Sequence, residues 1–189
     1  MADFAKGGDF AFLSVVVHSP RMPARRYIFR LALCSAVVLA AFSAFAGSDD
    51  GEPAPRFHAK TLTSETFTNE SVKGKVVLLQ FWTTWCPYCR REQALVDDLD
   101  REFADKGLVV LAIDVGESKK TVRKYLADHP RSCRIVLNED TNLAAMYAAN
   151  VYPIYVVIDR DGDIAATQRG ASGERGLRRL LRRAGLGSD

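Results

Sequence analysis

The segment Val76-Val77-Leu78-Leu79-Gln80-Phe81-Trp82 is an almost unbroken run of β-branched, aliphatic and aromatic residues ending four positions before Cys86-Pro87-Tyr88-Cys89. A short run with no polar alternation is the pattern of a strand buried on both faces. Beyond the cysteines, Ala94, Leu95, Leu99 and Phe103 recur at helical spacing, and Gly107 supplies a stop. A buried strand that delivers two cysteines into the mouth of a helix leaves few architectures open.

The rest of the chain continues that alternation. Leu108 to Val115 reads as a second continuous strand, Ser118 to Asp128 as a helix closed by His129-Pro130, and Ile135-Val136-Leu137 as a short strand. A short helix is expected over Thr141 to Ala149. Ile154 to Ile158 and Asp163 to Thr167 flank Asp159-Arg160-Asp161-Gly162, a hairpin turn, and Ser172 to Ala184 forms the last helix. An extra hairpin fits residues 56–68. The order βαβαβαββα predicts an α/β fold whose mixed sheet is covered by helices on both faces.

The formal charge of +3 belongs to one end of the chain. Residues 1–46 carry Lys6, Arg21, Arg25, Arg26 and Arg30 against Asp3 and Asp9, while the remaining 143 residues balance at 21 basic and 21 acidic groups. A neutral body argues against nucleic-acid binding. Arg25, Arg26 and Arg30 precede an uncharged, largely apolar run over residues 31–45, which Ala44-Phe45-Ala46 closes. That is the three-part pattern of an export signal, and it is short for a membrane span, which takes about 20 apolar residues. Cleavage is expected near Ala46 and initiation at Met22, giving a periplasmic or secreted protein. The alternative is an anchor retained through residues 31–45. A Pro/Gly-rich linker is expected over residues 47–55, and one domain over residues 56–189.

Two cysteines two residues apart serve a metal, a structural bridge or a redox pair. A zinc site needs a second close pair of ligands, and beyond the leader only Cys133, His58 and His129 remain. A structural bridge gains more from a longer loop. A strand running into a helix N-terminus is the context of a redox pair. Cys86 falls where unpaired backbone N–H groups and the helix dipole favour negative charge, so its pKa is expected below the free value of about 8.5. Cys89, one turn later and less exposed, is placed to be the resolving thiol. Pro87 at the first helical position forfeits no hydrogen bond.

On Ala54-Pro55-Arg56-Phe57, Gly74-Lys75-Val76-Val77-Leu78-Leu79, the Trp85-to-Cys89 motif, Val115-Gly116-Glu117-Ser118, and Pro153 followed by a strand ending at Asp159-Arg160-Asp161-Gly162, the chain resembles the TlpA/ResA-like thiol-disulfide oxidoreductases of the redoxin (AhpC/TSA) family. The likeness runs from about Ala54 to Leu186. It implies a thioredoxin-like three-layer sandwich and a cis peptide at Tyr152–Pro153 beside the cysteines, where the Tyr152 backbone pairs with an extended substrate. Cys89-Arg90-Arg91-Glu92 matches a Cys-x-x-Glu pattern in which the glutamate serves the active site, here by exchanging a proton with the resolving thiol. The alternative is a solvated Glu92 paired with nearby arginines. Thioredoxin itself uses a buried acid on the preceding strand, and the equivalent residue here is Gln80, which cannot titrate.

The catalytic set expected is therefore Cys86, Cys89 and Glu92, with Trp85, Pro87, Tyr88, Tyr152 and Pro153 facing the substrate. The resemblance implies protein disulfides as substrates, apocytochrome c among the family's possibilities, and a membrane thiol-relay protein as electron donor. Neither cofactor nor metal is expected, because the dithiol is itself the redox group, and the chain is expected to be a monomer acting as a reductase. Two departures stand out. Relatives often carry Thr after the cis-proline, where this chain has Ile154 and Tyr155, and Pro87-Tyr88 is the dipeptide of glutaredoxins, which leans toward a more oxidising pair. Other functions compatible with the thiols are a peroxiredoxin-type peroxidase, since Thr83-Thr84-Trp85-Cys86 holds a Thr-x-x-Cys spacing, and a non-catalytic thiol or copper-binding module. Trp82 and Cys133 are expected in the core, and the leucines of the last helix (Leu177, Leu180, Leu181) on its buried face.

Overall fold

The computed structural model describes residues 51–187, and the expected export signal, its cleavage point and Met22 lie outside them. Eight strands form one sheet: β1 (Glu52–Pro53), β2 (His58–Thr61), β3 (Thr66–Thr68), β4 (Val76–Trp82), β5 (Leu108–Asp114), β6 (Arg134–Thr141), β7 (Ile154–Ile158) and β8 (Asp163–Arg169). Their order across the sheet is β1-β8-β7-β4-β5-β6-β2-β3. β4, β5 and β6 pair in parallel, and every other pairing is antiparallel. The helices are α1 (Pro87–Phe103), α2 (Lys119–Asp128), the single turn α3 (Leu143–Met146) and α4 (Gly173–Arg183). This is the α/β, thioredoxin-like arrangement expected.

The continuous apolar strands lie at the centre because they need cover on both sides. All seven residues of β4 and all seven of β5 are buried. On one face Val76, Leu78 and Trp82 pack with Val96, Leu99 and Phe103 of α1, Val122 of α2 and Leu177 and Leu181 of α4. On the other, Val77, Leu79 and Phe81 meet Leu143 and Ala144 of α3 together with Phe57 and Val72. At roughly 1.5–3 kcal/mol per fully buried large aliphatic or aromatic side chain, these two layers supply the main driving force of the fold.

Several boundaries differ from expectation for identifiable reasons. β6 runs to Thr141 instead of ending at Leu137, because its polar end pairs with the β2–β3 hairpin through Ala59 and Thr141. The helix expected over 141–149 is only one turn, and the chain leaves it through Ala148 in the left-handed region at φ 45°. Within the expected linker, Glu52 and Pro53 add an edge strand opposite Ile164 and Asp163. Gly107 ends the helical region after a 3-10 turn at Ala104–Lys106 with φ 86°, a conformation glycine adopts without a Cβ clash.

One register decides where the chemistry sits. β4 and β7 run antiparallel with Phe81 opposite Ile154. Pro153, just before β7, therefore lies at the sheet end from which β4 exits toward Cys86.

Candidate active site

Cys86 and Cys89 are joined by a disulfide, with their Cα atoms 5.3 Å apart. Cys86 is the N-cap residue of α1, and its sulfur accepts a hydrogen bond from the Cys89 backbone N–H at 3.1 Å. One of the unpaired donors at the helix mouth thus points at the sulfur that would carry charge. Pro87 occupies the first turn, as its missing N–H permits. Both cysteines are buried, Cys89 completely and Cys86 with 3% of its surface exposed, whereas Trp85 and Tyr88 beside them are 64% and 54% exposed.

The peptide between Tyr152 and Pro153 is cis. Tyr152 meets Trp85 edge-on, with ring centroids 5.9 Å apart, so the proline loop and the cysteine loop are in contact through their aromatic side chains. Pro153 is buried, Tyr152 half-buried, and Pro87 exposed. Trp82 and Cys133 lie in the core, as expected. His129 is exposed and stacks on Tyr125.

Glu92 is buried and, among the described residues, pairs with no arginine. Its Oε2 accepts from the Tyr155 hydroxyl at 2.7 Å, and its Oε1 accepts from the backbone N–H groups of Ser172 and Gly173 at 2.9 and 2.5 Å. The carboxylate therefore closes the N-terminus of α4, where the helix dipole favours negative charge. Because Glu92 follows Cys89 by three residues on one helix, the two share a face of α1.

A chain of buried polar groups continues behind Glu92. Gln80 Nε2 donates to the Tyr155 oxygen at 3.3 Å, and Arg131 Nη2 donates to Gln80 Oε1 at 3.2 Å. Arg131 Nε then donates to both oxygens of Asp97 at 3.0 and 2.9 Å. Tyr155, two residues after cis-Pro153, is the hydroxyl donor to Glu92. Burial, followed by the Glu92 hydrogen bond and charge, pushes the Tyr155 phenol far above its ordinary value, so it remains a donor.

A second pair of acids lies at the mouth of the site. Glu117 accepts from the Thr84 N–H at 2.5 Å and the Thr84 hydroxyl at 2.6 Å, clamping the loop that carries Trp85 and Cys86. Asp114, at the end of β5 opposite Trp82, is fully buried, and its Oδ2 has no partner. Burial first, and then its hydrogen bond and charge interaction with Glu117, raise its pKa to about 8. In the sequence Glu117 stands in the Val115-to-Ser118 motif with no role evident, and Asp114 does not stand out. The available signal was a single charged residue closing an otherwise apolar strand.

Residues 51–167 match the AhpC/TSA family. The chain is 27% identical over 143 residues to the thiol-disulfide oxidoreductase ResA of Bacillus cereus (strain ZK / E33L), covering 74% of this chain and 83% of that protein. It is 36% identical over 121 residues to the thioredoxin-like protein YneN of Bacillus subtilis (strain 168), covering 62% and 70% respectively. A thiol:disulfide interchange protein of the thioredoxin family from Chlorobium tepidum TLS superposes with a TM-score of 0.62 at 24% identity, over 73% of this chain and 99% of that one, and shares the fold. The chain belongs to the AhpC/TSA family and is a thioredoxin-fold thiol-disulfide oxidoreductase.

Proposed function

We propose that the protein is exported and reduces disulfides of other exported polypeptides through Cys86 and Cys89. The observation that carries this reading is the Cys86 sulfur at the N-terminus of α1, where it accepts the Cys89 N–H. A thiolate held there is stabilised before any substrate arrives.

In the reaction, the Cys86 thiolate attacks one sulfur of the substrate disulfide. The substrate S–S bond breaks, a mixed disulfide forms, and one substrate thiol leaves. Cys89 then gives up its proton and attacks the Cys86 sulfur, forming the Cys86–Cys89 disulfide and releasing the second substrate thiol. Two electrons pass from the dithiol to the substrate. Glu92, on the Cys89 face of α1, is the group assigned to take the Cys89 proton. Trp85, Pro87 and Tyr88 present the contact surface, and Tyr152 before cis-Pro153 offers backbone for an extended substrate to pair with.

A membrane thiol-relay protein would return electrons to the oxidised pair, and apocytochrome c is one polypeptide of the required kind. The leader's basic residues and apolar run support export. The test is reduction of a protein disulfide such as insulin by the dithiol form. Cys86→Ala is expected to abolish turnover, and Cys89→Ala to trap a mixed disulfide. Full activity of Cys86→Ala would reject the mechanism.

A further inference from the structure

Two helices begin beside the reactive loop. Cys86 caps the N-terminus of α1, and Ser118 caps that of α2, next to the Glu117 that clamps Thr84. Stability favours acidic residues in the first turn of a helix. Neither helix has one there. Lys119 and Lys120 open α2 instead, Arg123 and Lys124 follow, and Arg90 and Arg91 come directly after Cys89 in α1. All six side chains are exposed, and among the described residues none of the ion pairs engages them. The body of the chain is neutral, so this cationic cluster is local.

Among the described residues, none of the nearby acids forms an ion pair with these six cations. Glu117 is held by Thr84, Glu92 is buried against Tyr155 and the start of α4, and Asp114 is buried. Thr84, Lys120, Lys124, Tyr125 and His129 line an open cleft of about 490 Å³ that starts at the reactive loop and has Asp128 as its one acidic lining residue. Arg90 belongs to the same side. It precedes by one helical turn Gln93, whose Oε1 accepts from the Tyr125 hydroxyl at 2.9 Å.

We infer that this cleft docks an acidic segment of the substrate polypeptide adjoining the disulfide that Cys86 attacks, an assignment that rests on the reductase reading above. Trp85 and Tyr88 supply apolar contact at the disulfide, while Lys120, Lys124 and Arg90 select carboxylates beside it. Cations arranged this way raise the association rate of a complementary partner and repel a basic one.

The test compares two synthetic peptides that share one disulfide loop and differ only in flanking Asp/Glu or Lys residues. The readout is the ratio of their kcat/KM values within each protein, which cancels any change in Cys86 reactivity. The ratio is expected to favour the acidic peptide about tenfold at low salt and to fall toward unity near about 0.5 M salt. In Lys120→Glu/Lys124→Glu it is expected to drop below unity. Equal rates for both peptides at low salt, or an unchanged ratio in the double variant, would overturn the docking assignment. Hydroxyethyl disulfide, which is small and neutral, separates the two levels. Turnover of it with no peptide preference sinks the cleft alone, whereas no turnover of any disulfide sinks the reductase reading and the cleft with it.

Discussion

The Tyr155 hydroxyl donates to Glu92 Oε2 across 2.7 Å, linking the strand after cis-Pro153 to the helix that bears both cysteines. Two elements distant in sequence therefore fix one carboxylate. Removing the hydroxyl leaves Glu92 with its two backbone donors and Gln80 Nε2 without an acceptor. Tyr155→Phe is expected to cost about 1.5–3 kcal/mol in denaturant unfolding, the usual worth of a hydrogen bond to a charged group. It is also expected to slow resolution of the mixed disulfide while leaving its formation by Cys86 unchanged. Stopped-flow measurement of the two steps separates them.

Arg131 and Asp97 form a buried ion pair, with Arg131 Nε shared between both Asp97 oxygens and the side chains 1% and 9% exposed. Deleting one partner strands a buried charge, so Asp97→Ala and Arg131→Ala should each cost about 3–5 kcal/mol. The double variant Asp97→Leu/Arg131→Met should recover much of that loss. Urea titrations of the three variants measure the coupling, and additive losses would show that the pair does not act as a unit.

Glu117 holds Thr84 through both the backbone and the hydroxyl, and this positions the segment leading to Cys86. Glu117→Ala is expected to reduce the rate of attack by Cys86 about tenfold, because small displacements of a reacting group are expensive. Glu117→Gln, which keeps one carbonyl oxygen, should fall between the native protein and the alanine variant. A rate unaffected in both would remove Glu117 from the account.

Asp114 gives the fold a definite pH dependence. Its carboxyl keeps a proton in the folded state up to about pH 8, although the unfolded chain releases it near the ordinary value of 3.8. The folded form thus binds more protons between these limits, and stability falls as the pH rises through them. The protonated group's support is complete below the lower limit. Asp114→Asn should therefore raise the melting temperature by several degrees at pH 8.5, where the native protein buries a charge, and leave it nearly unchanged at pH 3.5. An equal shift at both pH values would contradict the assignment.

Much of the fold was legible because the central strands carry their burial in their composition. Val76 to Trp82 and Leu108 to Asp114 have only Gln80 and Asp114 as polar members, and both turned out to belong to buried networks. The extent of β6 was not legible, since Asn138, Glu139 and Asp140 become strand only through pairing with a hairpin far away in sequence. The cysteine pair could be read from spacing and a preceding strand. Partners of Glu92 could not, because Tyr155, Ser172 and Gly173 reach it from elements whose proximity only the tertiary fold creates. Lys120 and Lys124 likewise look like an ordinary solvated helix face until α2 is seen to begin beside Thr84.

The central claim is that the mouth of α1 stabilises a thiolate at Cys86. Its most direct test is the pH dependence of Cys86 alkylation by iodoacetamide in the reduced Cys89→Ser/Cys133→Ser variant, in which Cys86 is the one cysteine left in residues 51–187. The account predicts a midpoint clearly below about 8.5, the value of an unperturbed cysteine. A midpoint at or above that of a cysteine in an unstructured peptide would contradict it.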